Sequence, residues 1–131
     1  MNKKILITGA IFAGITVIMG AFVAHGLKNV VSEAAIKTFE TGVRYQMYHA
    51  FALLILGLIK GMPQRAQQLT FIFFTGGIVL FSGSIYLLAL DEIIPFQTSK
   101  IGFVTPIGGL LFIAGWAVLI WGLKKTSKTS K

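Results

Sequence analysis

No cysteine occurs among the 131 residues, which excludes disulfides, thiolate metal sites, iron–sulfur clusters and covalently attached c-type haem. Acids are nearly as scarce: Glu33, Glu40, Asp91 and Glu92 are the only four. Charged residues make up 12% of the chain, about half the share usual in a soluble domain. The sequence has no glycine-rich phosphate loop, no zinc-protease helix, no Ser/His/Asp signature and no low-complexity block or linker. No nucleophile, base and orienting group recur at any useful spacing, so the expectation is a non-enzyme without a cofactor or metal.

What the chain does have is apolar length. Apolar residues reach 55% and the net charge is +8, with the basic residues at the edges of the apolar runs. That placement reads as membrane orientation rather than phosphate binding, so lipids and not nucleic acid are the expected partners. The first run, 5–24, holds 20 residues without a charge, enough for roughly 30 Å of hydrocarbon. Met1-Asn2-Lys3-Lys4 ahead of it resembles a signal-peptide n-region. The run is long for a signal core, however, and Phe22-Val23-Ala24 is a poor cleavage site, so a retained helix is expected. Further spans are expected at 70–90 and 105–123, the last with Thr105 as N-cap and Pro106 at the first helical position.

Periodicity decides the remaining span. Ile36, Phe39, Val43, Met47, Ala50, Leu54 and Leu58 recur at intervals of three and four. Ser32 is the expected cap, and Lys60, Gly61 and Pro63 form a helix stop. From Glu33 to Ile59 the helix would measure about 40 Å, longer than the hydrocarbon core. Residues 43–60 are therefore expected to cross, and 33–42 to lie at the interface with a bend at Gly42. The apolar stripe should face lipid. The opposite face, with Glu40, Thr41, Arg44, Tyr45, Tyr48, His49 and Gln46 at its margin, should face the bundle.

Four spans put both termini and the middle loop on one side. Lys3, Lys4, Lys60, Arg65, Lys124, Lys125, Lys128 and Lys131 belong to that side, against Lys28, Lys37, Arg44 and Lys100 on the other. The basic side is cytoplasmic by the positive-inside rule. The expected fold is a single all-α domain over 1–131, an antiparallel four-helix integral membrane bundle with both termini cytoplasmic. Gly9, Ala13, Thr16, Gly20 and Ala24 form a small-residue stripe on the first span, Gly76 and Gly83 share a face of the third, and Gly108, Gly115 and Gly122 repeat every seven on the fourth. Such stripes serve packing within the bundle or homo-oligomer contacts. Trp116 and Trp121 read as interface anchors.

GAFVAHGL (20–27), FETGVRYQMYHA (39–50), FSGSIYLLAL (81–90), TPIGG (105–109) and Gly115-Trp116 occur in this order along nearly the whole chain. In these motifs the sequence resembles the small YgdD-like membrane proteins, a widespread bacterial family of unknown function with eukaryotic relatives. The resemblance implies a four-span fold in the cell membrane and supplies no activity, substrate or cofactor. One departure is Val23, where relatives often carry glycine.

Depth unites the polar residues. With both termini inside, His25, Glu40, Arg44, Gln46, His49, Ser82, Ser84, Tyr86 and Thr105 all fall in the outer half of the bundle. One reading is a hydrogen-bonded network that fixes helix register, with Arg44 paired to Glu40 at i, i+4. A second is a binding or transport site for an extracytoplasmic or lipidic ligand, with Arg44 and His49 as its contacts. A third is b-type haem held by His25 and His49. No span carries an acid near its middle, which points away from proton-coupled export. The segment from Asp91 to Thr105 mixes acids with apolar residues, and is expected either to fold over this layer or to rest in the head groups.

Overall fold

A computed structural model describes residues 1–94 and 100–128. Among these residues it is all helix: α1 is Lys3–Gly26, α2 Glu33–Leu58, α3 Gln64–Ala89 and α4 Val104–Lys124. Asn2 caps α1 by accepting from the Ile5 amide, and Ser32 caps α2 by accepting from Ala35. Gly61, at φ 76°, turns the chain between α2 and α3 in a region that strains any side chain. Thr105 does not cap α4. The helix begins at Val104, which places Pro106 inside its first turn, where a missing N–H costs nothing.

Hydrogen bonds tie the helix ends into an antiparallel bundle. At one end the Asn2 amide donates to the Gly57 carbonyl (2.8 Å), the Gln67 side chain donates to the Leu56 carbonyl (3.1 Å), and the Ser127 amide donates to Gly61 (3.1 Å). The start of α1, the end of α2, the start of α3 and the end of α4 therefore meet. At the other end Glu92 accepts from both the amide (3.1 Å) and the hydroxyl (2.7 Å) of Ser32. One end of the expected lid is thus tied to the cap of α2; its centre, 95–99, lies outside the described residues.

Helices α1, α3 and α4 are long and apolar enough to cross a membrane. α2, at 26 residues, is as long but less apolar, because Arg44, Gln46 and His49 interrupt the stretch that would cross. α1 packs mainly on α2, while α3 changes partner along its length: residues 64–82 lie on α4 and 78–89 on α2. The change falls at a π-helical turn, Ile78–Ser82. One extra residue per turn rotates the face that follows. This corrects the paired-glycine reading of α3: a Cβ on Gly76 would meet Leu111 at 3.3 Å, but one on Gly83 meets nothing within 4 Å. A second π-turn, Phe22–Gly26, does the same to α1, exposing Ala24 and burying Val23 against Leu27 and Phe39.

The faces of α2 also differ from expectation. Phe39 and Ala50, assigned to lipid, are wholly buried, whereas Glu40, Arg44, Tyr45 and Tyr48 are exposed. α2 is flanked by α1 on one side and α3 on the other, so its buried arc takes in Phe39, Gly42, Gln46, His49, Leu53 and Leu56. The outward stripe runs Glu40, Arg44, Tyr48, Phe51, Ile55, Leu58, from charged through aromatic to aliphatic. That gradient follows a bilayer from head groups to hydrocarbon. The charges at the mouth of this helix belong to its outer surface.

Candidate functional site

Two buried side chains one turn apart on α2 organise the polar residues. Gln46, 3% exposed, accepts from the Tyr86 hydroxyl of α3 at 2.6 Å and donates to the Phe12 carbonyl of α1 at 3.1 Å. One amide therefore joins three helices. The Phe12 carbonyl also accepts from Thr16 at 2.6 Å. Gly42 makes room beside this group, since a Cβ there would lie 2.7 Å from the Tyr86 ring. Its carbonyl accepts from Ser82 at 2.8 Å.

His49, 4% exposed, forms the second centre. The Trp116 indole N–H, from α4, lies 3.0 Å from its Nε2. An indole can only donate, so Nε2 carries no proton. The proton is then on Nδ1, which donates to the Tyr45 carbonyl at 2.7 Å. The imidazole stacks on Phe112 with centroids 3.6 Å apart and meets Phe74 edge-on at 5.1 Å. Ser84 of α3 and Thr105 of α4 share a hydroxyl–hydroxyl bond, and Ser84 also donates to the Phe81 carbonyl.

Gln46, His49, Ser82, Ser84, Tyr86 and Thr105 are therefore brought into one layer, as the groups around Gln46 and His49 and the separate Ser84–Thr105 pair. The other three predicted residues are not. His25 is exposed on the π-turn of α1, and Glu40 is exposed near the start of α2. Arg44 is also exposed and donates to Thr41 at 3.2 Å rather than pairing with Glu40. A hydroxyl one turn back satisfies the guanidinium while it reaches toward water, where an ion pair gains little. Bis-histidine haem ligation fails on the same geometry, because both His49 nitrogens are already hydrogen-bonded and His25 lies at the exposed end of α1. Among the described residues no group of three or more His, Asp or Glu could hold a metal.

Trp116 is the site residue that sequence reasoning missed. It lies in the middle of α4, too deep for an interface ring, and that position within 104–124 was the available signal. Beside it, between α2 and α4, is a crevice of about 580 Å³ walled by Tyr45, His49, Phe81, Phe112 and Trp116. The layer contains only neutral groups. Two buried hydroxyls elsewhere on α3, Thr70 and Thr75, have no partner among the described residues.

Residues 19–109 match the model of a family described as a protein of unknown function, DUF423. The chain belongs to this family. A UPF0382 membrane protein of Staphylococcus haemolyticus is 44% identical over 90% of this chain and 93% of its own length. The UPF0382 inner membrane protein YgdD of Escherichia coli is 40% identical, covering 92% of this chain and 89% of its own. YwdK of Bacillus subtilis, also a UPF0382 membrane protein, is 38% identical over 90% and 94%. No solved structure matches. The family places this chain in a membrane, as a multi-pass helical protein, and carries no assigned activity.

Proposed function

We propose that the chain is a structural membrane bundle without catalytic chemistry, whose buried side-chain hydrogen bonds set the register of its helices. One observation carries this reading: Gln46, His49, Ser82, Ser84, Tyr86 and Thr105 all find partners inside the chain. Satisfied groups in a low-dielectric layer hold helices in place and leave nothing over for a polar ligand. Native mass spectrometry with a thermal series on wild type, Gln46→Leu and Arg44→Ala tests it. Gln46→Leu is expected to lower the melting temperature clearly, because it strands the Tyr86 hydroxyl. Arg44→Ala should change stability by less than about 0.5 kcal/mol, as surface substitutions do. A bound species that disappears from a well-folded Gln46→Leu protein would overturn the structural role.

The same reading places residues 5–24, 43–60, 70–90 and 105–123 across the bilayer, 33–42 at the outer interface, and both termini in the cytoplasm. The excess of basic residues at the terminal end supports it, as does the polarity gradient along the outward stripe of α2. With Asn29→Cys and Ser127→Cys, impermeant maleimide should label the first in intact cells and the second only after permeabilisation. The reverse pattern inverts the topology. A second reading, a small lipidic ligand seated beside His49, has the aromatic crevice in its favour.

A further inference from the structure

The charges missing from the buried layer collect at the end of the molecule where α1 and α3 begin and α2 and α4 finish. Lys3, Lys4, Lys60, Arg65, Lys124, Lys125 and Lys128 all belong to that end. All four acids of the chain belong to the opposite half: Glu33, Asp91 and Glu92 in or beside its connections, and Glu40 two turns into α2. The basic end has no Asp or Glu to neutralise it. Between the start of α1 and the turn from α2 to α3 it contains a depression of about 700 Å³.

Lys3 and Lys60 line this depression together with the amides of Asn2, Gln64, Gln67 and Gln68. Two of those amides are occupied, since Asn2 donates to Gln67 at 3.2 Å and Gln67 donates to the Leu56 carbonyl. The side chains of Lys3, Lys60, Gln64 and Gln68 are exposed and have no partner among the described residues. Lys4, by contrast, is turned away onto the Phe71 ring, 5.7 Å from its centroid. Two lysine ammonium groups and two amides without partners among the described residues therefore surround one hollow.

We propose that this depression binds the phosphate head group of an anionic phospholipid. Charge favours an anion here, since no Asp or Glu belongs to this end. The volume falls within the range of small-molecule sites. Lysine ammonium groups suit phosphate oxygens as point charges, and the amides can serve the glycerol hydroxyls of the head group. The hollow also lies where apolar helices leave the hydrocarbon. A phosphate tethered to acyl chains is thus delivered at the right depth, whereas a free anion must be drawn from solution. The proposal does not depend on the role of the buried layer or on which end is cytoplasmic.

The full chain in dodecylmaltoside micelles, titrated with phosphatidylglycerol or phosphatidylcholine and followed by melting temperature and native mass spectrometry, tests the proposal. Phosphatidylglycerol is expected to raise the wild-type melting temperature and phosphatidylcholine to leave it unchanged. Each lysine near an anionic lipid is worth about fivefold in affinity, so Lys3→Gln with Lys60→Gln should weaken the titration by about twentyfold or more. Lys124→Gln with Lys125→Gln removes the same charge from the same end and should weaken it clearly less, because neither side chain lines the depression. Gln68→Glu, a single exposed change, should also weaken it. Equal losses in the two double variants would reduce the effect to general surface attraction and overturn the site. So would an absent phosphatidylglycerol shift. Equal protection by inorganic phosphate or glycerol phosphate would assign the hollow to a free anion and overturn the lipid.

Discussion

Gly108→Ala is expected to cost about 3 kcal/mol or more, or to prevent folding altogether, although it adds one methyl group. The new Cβ would collide with the Phe81 nitrogen and lie 2.7 Å from its Cα and 2.8 Å from the Leu80 carbonyl carbon. All three are backbone atoms, so no side chain can swing aside. They also belong to the π-turn through which α3 passes from α4 to α2, and two helix pairings must give way together. Gly109→Ala is the control on the same turn of α4. Its Cβ meets only the Phe81 ring, at 3.7 Å, which is ordinary contact. Gly83→Ala meets nothing within 4 Å and should be neutral or stabilise by about 0.5 kcal/mol through helix propensity. Reversible unfolding in mixed micelles measures all three. A Gly108→Ala protein as stable as Gly109→Ala would refute the close approach.

Those glycines also mark how far sequence reading reached. The heptad Gly108, Gly115 and Gly122 was legible as a packing face, and α3 fills it: added Cβ atoms would meet the Phe81 backbone, the Phe74 ring and the Ala66 Cβ. α4 is regular, and a regular helix keeps its period. Gly76 with Gly83 misled because a π-turn lies between them, and nothing in the spacing of apolar residues announces a π-turn. Ala24 misled for the same reason on α1. On α2 the polar residues did share a level, but level is not direction. Glu40 and Arg44 lie at the same depth as the inward residues and on the outward face, where a long cation reaches the head groups. Periodicity gave the helix and could not say which two arcs its neighbours would cover. Of the nine predicted site residues, the six in the layer are neutral, and two of the three outside it are ionised. That division follows from the cost of charge in a dry interior.

The His49 variants separate packing from hydrogen bonding in that interior. His49→Ala is expected to cost about 3 kcal/mol, because it empties the space between Phe112 and Phe74 and strands the Trp116 N–H. His49→Phe keeps a ring there and loses only the bonds to Trp116 and Tyr45, so it should cost about 1 kcal/mol. Hydrogen bonds between membrane helices average about 0.6 kcal/mol, which makes the stacked ring the larger contribution. A cycle of His49→Phe, Trp116→Phe and the double variant should therefore yield a coupling between about 0.5 and 1.7 kcal/mol. In the double variant neither partner is left unsatisfied, and part of the single-variant loss should return. Unfolding in mixed micelles, followed by the loss of helical circular dichroism, gives the four stabilities. If His49→Phe proves as damaging as His49→Ala, the proton on Nδ1 and the acceptor at Nε2 matter more than the ring. If both variants stay within about 0.5 kcal/mol of wild type, the layer does not hold the bundle together, and the crevice beside His49 becomes the better account of why a histidine is buried there.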